Sequence, residues 1–297
     1  MSHRGGKLPS CPFSYCSASN ALPEACHPTS SPFPSGILHG MAYPSPTRRP
    51  QWQERWEELK PAPFRNFVEV LPGLYQVRTR GSKAYLIVED EITLVDTGSP
   101  GSGARILQAV EELGRSPEDI KHIVITHYHI DHVGGLAELQ EWVPGKTGVH
   151  LAEAPHVTSD RPLPNPFQHP WLARICEPYL LRNDPGAARV DVVLDDGDEL
   201  PALGGLRIVH APGHTAGSIS LHFPNRGVLL VGDAMQYKFG RLMPPSRLFT
   251  QDMNAATDSI RKLASLDFET LCFSHFRPIL AGADQKVREF ARTLPSR

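Results

Sequence analysis

The stretch Thr126-His127-Tyr128-His129-Ile130-Asp131-His132-Val133-Gly134-Gly135 packs three histidines and a carboxylate into a few positions. Imidazole nitrogens and carboxylate oxygens are the donors that a borderline divalent ion such as zinc takes at neutral pH. A lone histidine in a loop is ordinarily a solvated side chain. A His-x-His-x-Asp-His run closed by two glycines is too dense in donors for that description, and nothing in it fills a core. In extended backbone alternate side chains share a face, so His127 and His129 point the same way. His132 falls out of that register. Either a turn brings it back to the same place or it serves a second ion.

Such a cluster needs a rigid support. Ile123-Val124-Ile125 is a β-branched run that reads as a buried strand, within 120–125, and it delivers the motif at its end. Upstream, 67–70, 74–79, 84–88 and 92–95 read as an antiparallel meander, with turns at Pro72-Gly73, Gly81-Ser82 and Glu89-Asp90. The last of these strands runs into Asp96-Thr97-Gly98, where Asp96 is either a turn former or a carboxylate that orients an imidazole from behind. Helical periodicity covers 104–113, 136–142, 171–181, 258–266 and 284–294, and further strands read at 147–151, 190–194, 206–210, 219–223, 227–231 and 270–273. The second half repeats the pattern of a strand with a polar ending. His214 lies in Ala211-Pro212-Gly213-His214-Thr215-Ala216-Gly217-Ser218, whose small residues imply close packing around a site. Asp233 lies in Gly232-Asp233-Ala234, and His275 in Ser274-His275-Phe276. Between the halves, 153–188 is irregular and Pro-rich, and we expect it to act as a lid that caps the site. His156 and His169, in this segment, lack ligand spacing and read as exposed.

In this order and spacing, the residues from Phe67 onward resemble the metallo-β-lactamase superfamily. The resemblance implies an α+β fold, an αββα sandwich of two mixed β-sheets flanked by helices, with the metals at one edge. Position by position, it implies one ion on His127, His129 and His214, a second on Asp131, His132 and His275, and Asp233 bridging the two. It also raises the orienting role for Asp96. No cysteine stands at a ligand position, unlike the class B1 β-lactamases, which argues against antibiotic hydrolysis. His129 stands where flavodiiron relatives carry a glutamate, which argues against their redox chemistry. The glyoxalase II and lactonase-like branch fits better, although the short stretch after His275 leaves no room for the glutathione-binding helical domain of glyoxalase II. Lactonases place a tyrosine three residues after the bridging aspartate, whereas Tyr237 comes four after Asp233. Tyr237 is a candidate donor to the substrate oxygen, with Lys238 or Arg241 pairing a substrate carboxylate. The competing reading is an aromatic packed beside solvated charges.

Two divalent ions facing Asp131 and Asp233 would leave an excess of positive charge, enough to bring the pKa of a shared water from about 15.7 towards neutrality and to polarise a carbonyl. The expected activity is a dinuclear, metal-dependent hydrolysis of a small ester, thioester or lactone. Zinc is the first expectation for the two divalent ions, with iron or manganese as alternatives, and Asp131 also carries the leaving-group proton. The competing expectation is a mononuclear iron oxidoreductase of the persulfide dioxygenase type, using His127, His214 and Asp233.

The gross composition agrees with a small-molecule enzyme. Of 297 residues, 40% are hydrophobic and 21% charged, and the net charge of -2 gives no reason to expect nucleic acid or an anionic membrane as partner. No apolar run reaches the length of a membrane span. The five cysteines form no disulfide framework, so a cytoplasmic setting is expected. Residues 1–50 are Pro-, Ser- and Gly-rich and read as a disordered extension, with Met41 a second candidate start, and 51–297 as the catalytic domain. Within it, Trp52, Trp56 and Leu59 give 51–60 the spacing of a short amphipathic helix.

Overall fold

The computed structural model describes residues 66–295, apart from Gln168 and Leu203. The extension at 1–50 and the helix expected at 51–60 lie outside the described residues. Strands β1 (Phe67–Leu71), β2 (Leu74–Arg78), β3 (Lys83–Val88) and β4 (Ile92–Val95) form the expected antiparallel meander. The helix Gly103–Glu112 then crosses over, so that β5 (Ile120–Val124), β6 (Lys146–His150) and β7 (Val192–Leu194) add in parallel to make a seven-stranded sheet in the order β1 to β7. The second sheet contains β8 (Glu199–Leu200), β9 (Leu206–His210), β10 (Ile219–Phe223), β11 (Val228–Leu230) and β14 (Thr270–Cys272), in the order β14-β11-β10-β9-β8. It too is mixed, since β11 and β14 run parallel and the other pairs antiparallel.

Strand alternation explains the layering. In β3, Ala84 and Leu86 face the helices Gly103–Glu112 and Leu136–Gln140, whereas Tyr85 and Ile87 face the second sheet. In β11, Val228 and Leu230 join that inter-sheet core, and Leu229 turns outward to the helices Met253–Ala264 and Ala283–Thr293. Both faces of each sheet are apolar, so each must be covered twice, and the result is helix, sheet, sheet, helix. This is the expected αββα sandwich.

Three details differ from the sequence reading. The helix expected from 258 begins at Met253, because Asp252 caps it by accepting from the backbone N–H groups of Asn254 and Ala255 at 2.8 and 3.0 Å. A short hairpin of β12 (Gln236–Lys238) and β13 (Arg241–Met243) follows Asp233, too brief to show a period. The helix after the histidine motif stops at Gln140. No helix among the described residues is long and apolar enough to cross a membrane.

Candidate metal centre

All seven expected donors lie at one edge of the sandwich, where strands of both sheets end. After β5 the chain stays extended through His127 and turns at His129 into the single helical turn Ile130–Val133, which returns His132 to the cluster. Nε2 of His127 lies 3.1 Å from Nδ1 of His129. His214 arrives from the β9–β10 loop with its ring centroid 4.8 Å from that of His127 and 4.6 Å from that of His129. Asp233 follows β11 and sits between two groups of donors: its carboxylate is 3.5 Å from Nε2 of His214, 3.7 Å from Nε2 of His132 and 3.2 Å from Nε2 of His275. His275, after β14, also lies 3.4 Å from Asp131. Three overlapping triads therefore have donor atoms close enough to share an ion: His127-His129-His214, His127-His132-Asp233 and Asp131-His132-His275. The floor of the site is buried, and Asp131 and His275 form its half-open rim.

The ring orientations follow from what stands behind them. Asp96 accepts from Nδ1 of His132 at 2.8 Å, and from the backbone N–H and hydroxyl of Thr126 at 2.8 and 2.9 Å. With its hydrogen committed to Asp96, the Thr126 hydroxyl accepts from Nδ1 of His127 at 3.1 Å. Thr250 Oγ1 stands 3.3 Å from Nδ1 of His214. Asp96 keeps a proton on Nδ1 of His132, and these contacts at Nδ1 turn Nε2 of His127, His132 and His214 toward the cluster. Asp96 itself has φ +58°, a left-handed conformation rare for a non-glycine residue, and is held there by this network.

The electrostatics call for positive charge. Burial keeps His127 and His129 well below the usual imidazole range, with neighbouring imidazoles adding to the effect, and burial also lowers His214. Burial works against protonation of His132 as well, but Asp96, Asp131 and Asp233 outweigh it and raise its pKa to about 10. For His275, Asp233 likewise overcomes burial. Asp233 is in turn held far below the carboxylate range, its burial outweighed by His132 and His275. Nε2 of His132 and Nε2 of His214 are buried and have no hydrogen-bond partner. Neutral imidazoles, unpartnered buried nitrogens and ionised carboxylates facing one space fit divalent cations with nitrogen and oxygen donors.

Sequence reasoning missed Glu153. It is fully buried and accepts from the N–H of Tyr128 at 2.8 Å, the hydroxyl of Thr215 at 2.9 Å and the N–H of Gly217 at 2.7 Å. It thus ties the loop carrying His127 and His129 to the loop carrying His214, and burial raises its pKa. It follows β6 at the same edge, so the rule of a strand with a polar ending would have found it. The small residues near His214 are needed as expected: a Cβ on Gly217 would meet Glu153 Oε1 at 2.6 Å, and one on Gly213 (φ +129°) would meet the Ala256 backbone nitrogen at 2.2 Å. His275 is placed from the other side, where Tyr85 and Gln76 donate to the Phe273 and Phe276 carbonyls at 2.7 and 3.2 Å.

Tyr237 lies in the β12–β13 hairpin with its ring parallel to Phe273, 5.9 Å between centroids, and packs on the outer core. Lys238 stands over the ring of Phe276, and Arg241 is exposed. His169 is exposed, whereas His156, expected to be exposed, is half-buried because its Nδ1 donates to the Pro162 carbonyl at 2.9 Å and its ring packs against Tyr128. Both Tyr128 and His156 line a cavity of about 540 Å³ that opens beside His129 and is walled by residues between Ser159 and Gly186.

Residues 77–275 match the sequence profile of the Metallo-beta-lactamase superfamily. The chain is 32% identical over 229 residues to the probable metallo-hydrolase YflN of Bacillus subtilis, spanning 71% of this chain and 86% of that protein. It is 31% identical over 186 residues to a hydroxyacylglutathione hydrolase of Cereibacter sphaeroides, spanning 62% of this chain and 57% of that enzyme. A metallo-beta-lactamase family protein of Thermus thermophilus superposes with a TM-score of 0.58 at 25% identity, covering 75% of this chain and 80% of that one. The seven convergent donors thus stand in a recognised lineage: the chain belongs to the metallo-β-lactamase superfamily.

Proposed function

We propose that the protein is a dinuclear metal-dependent hydrolase of small esters, thioesters or lactones. One ion would be held by His127, His129 and His214, the other by Asp131, His132 and His275, with Asp233 between them. The observation that carries this reading is the position of Asp233, within 3.7 Å of histidines belonging to both groups. The nitrogen-rich donor set favours zinc. Bound there, a pair of divalent ions would supply a water deprotonated near neutral pH and a Lewis acid for the scissile carbonyl.

The chain's own residues supply the rest. Asp96, Thr126 and Thr250 hold the imidazoles with Nε2 inward, so ligand geometry is set before any ion arrives. Asp131 is the donor carboxylate with the greater exposure, and in this reading it passes a proton to the leaving group. Tyr237 is offered to the substrate oxygen, and Tyr237→Phe tests that role. The segment 153–188 caps the site and carries most of the cavity wall. The relatives named as metallo-hydrolase and hydroxyacylglutathione hydrolase support hydrolysis as the reaction class.

The test is elemental analysis of the purified protein beside a screen of esters, thioesters, lactones and phosphoesters. About two zinc ions per chain, with ester, thioester or lactone turnover lost in His129→Ala, is the expected result. One iron per chain with oxygen uptake on a persulfide, or equal turnover by wild type and His129→Ala, would overturn it.

A further inference from the structure

The cavity beside His129 differs in chemistry from the donor cluster it adjoins. Its volume, about 540 Å³, is in the range that holds a small organic ligand. One wall is apolar and stiff, built from Pro162, Leu163, Pro164 and Leu180. The charged side chains among its described lining residues are Glu177 and Asp184, with no lysine or arginine among them. Of the polar groups near its inner end, Nδ1 of His156 donates to the Pro162 carbonyl, and the Tyr128 hydroxyl accepts from Gln251 at 2.7 Å, which leaves its own O–H to donate. An apolar sleeve with two carboxylates suits one kind of group and repels another.

We infer that this cavity binds the far end of the substrate's acyl chain and selects an uncharged or cationic chain over an anionic one, with Glu177 and Asp184 as the specificity-determining residues. This rests on the hydrolase reading above and narrows its substrate class. The donor cluster receives the carbonyl, and the cavity receives whatever is attached to it. An alkyl chain would gain by leaving water along the proline and leucine wall, about fourfold in kcat/KM per methylene until the sleeve is full. A carboxylate at the far end would lose its hydration and face two negative charges, with no cation among the described lining residues to pair it.

The experiment uses the zinc-loaded protein and p-nitrophenyl esters of three acids of matched length: hexanoic acid, adipic acid with one free carboxylate, and aminocaproic acid with an ammonium. The expected result is kcat/KM at least about tenfold lower for the adipic ester than for the hexanoic ester, with the aminocaproic ester at or above the latter. In Glu177→Lys/Asp184→Lys the ratio of adipic to hexanoic turnover should rise about tenfold, and the wild-type gap should shrink in high salt. Equal turnover of all three esters, or a ratio unmoved by the double substitution and by salt, would overturn the inference while leaving the hydrolase reading intact. If no ester is turned over, the hydrolase reading fails. The cavity is then judged by thermal stabilisation with the corresponding methylamides, where equal stabilisation by the hexanoic and adipic amides overturns it.

Discussion

The two sheets bring donors to the shared edge by different means. The seven-stranded sheet supplies His127, His129, Asp131 and His132 from one continuous loop after β5, braced by Asp96. The five-stranded sheet supplies His214, Asp233 and His275 singly, each from a separate strand end. The first group needs only a correct local turn and one buried acceptor. The second needs β9, β10, β11 and β14 in register, so it depends on the whole inter-sheet core. Two contacts then cross between the two groups, the first of them buried. Glu153 joins Tyr128 to Thr215 and Gly217, and His150 at the end of β6 stacks on His210 at the end of β9, 4.2 Å apart and 10° from parallel.

The comparison breaks most completely at Asp233, which touches both groups. We expect Asp233→Ala to lose at least one metal equivalent per chain and all measurable ester turnover, checked by elemental analysis and a p-nitrophenyl ester assay. The next effect belongs to the brace of the first edge. Asp96→Asn presents an amide N–H₂ either to the Thr126 backbone N–H or to the Thr126 hydroxyl and His132 Nδ1 together, so one or two of its three donors lose their acceptor, and metal affinity or activity should fall about 10- to 100-fold. Competition with a chromophoric chelator reads this directly. Glu153→Gln should separate the two edges without touching a donor residue. One of its three hydrogen-bond donors would be left unsatisfied in the interior, costing about 2 kcal/mol of stability, measured as a lowered urea midpoint.

The weakest crossing contact gives the smallest effect and a direction in pH. Burial, with His210 adding to it, lowers the pKa of His150 below its ordinary 6.5. As pH falls through that ordinary value, the unfolded chain takes up the proton more readily than the folded one, so this group's contribution is lost on acidification and is constant above it. His150→Gln should therefore flatten the acid limb of the stability profile, read as urea midpoints at about pH 5 and about pH 7.5.

The asymmetry between the edges also explains what could be read from sequence. The loop from Thr126 to Gly135 was legible because its donors are neighbours in the chain. His214, Asp233 and His275 were legible only as repeated strand endings and through their resemblance to a known order. Glu153 escaped, since its partners Tyr128 and Thr215 are distant in sequence and it heads a segment with no periodicity. Thr250 escaped for the same reason, as did the true start of the helix at Met253, where an aspartate cap outweighed the apolar spacing. The αββα layering was legible only through the resemblance, since β3 and β11 are apolar on both faces and show no polar alternation. The hairpin bearing Tyr237 was too short to be seen.

Most of the cavity wall comes from residues between His156 and Gly186, whereas the donors come from other parts of the chain, meeting that wall at His129. Substitutions, insertions or deletions in the proline-rich stretch can therefore accumulate over generations without disturbing the reactive centre. A lineage built in this way can change what it consumes while keeping the means of consuming it.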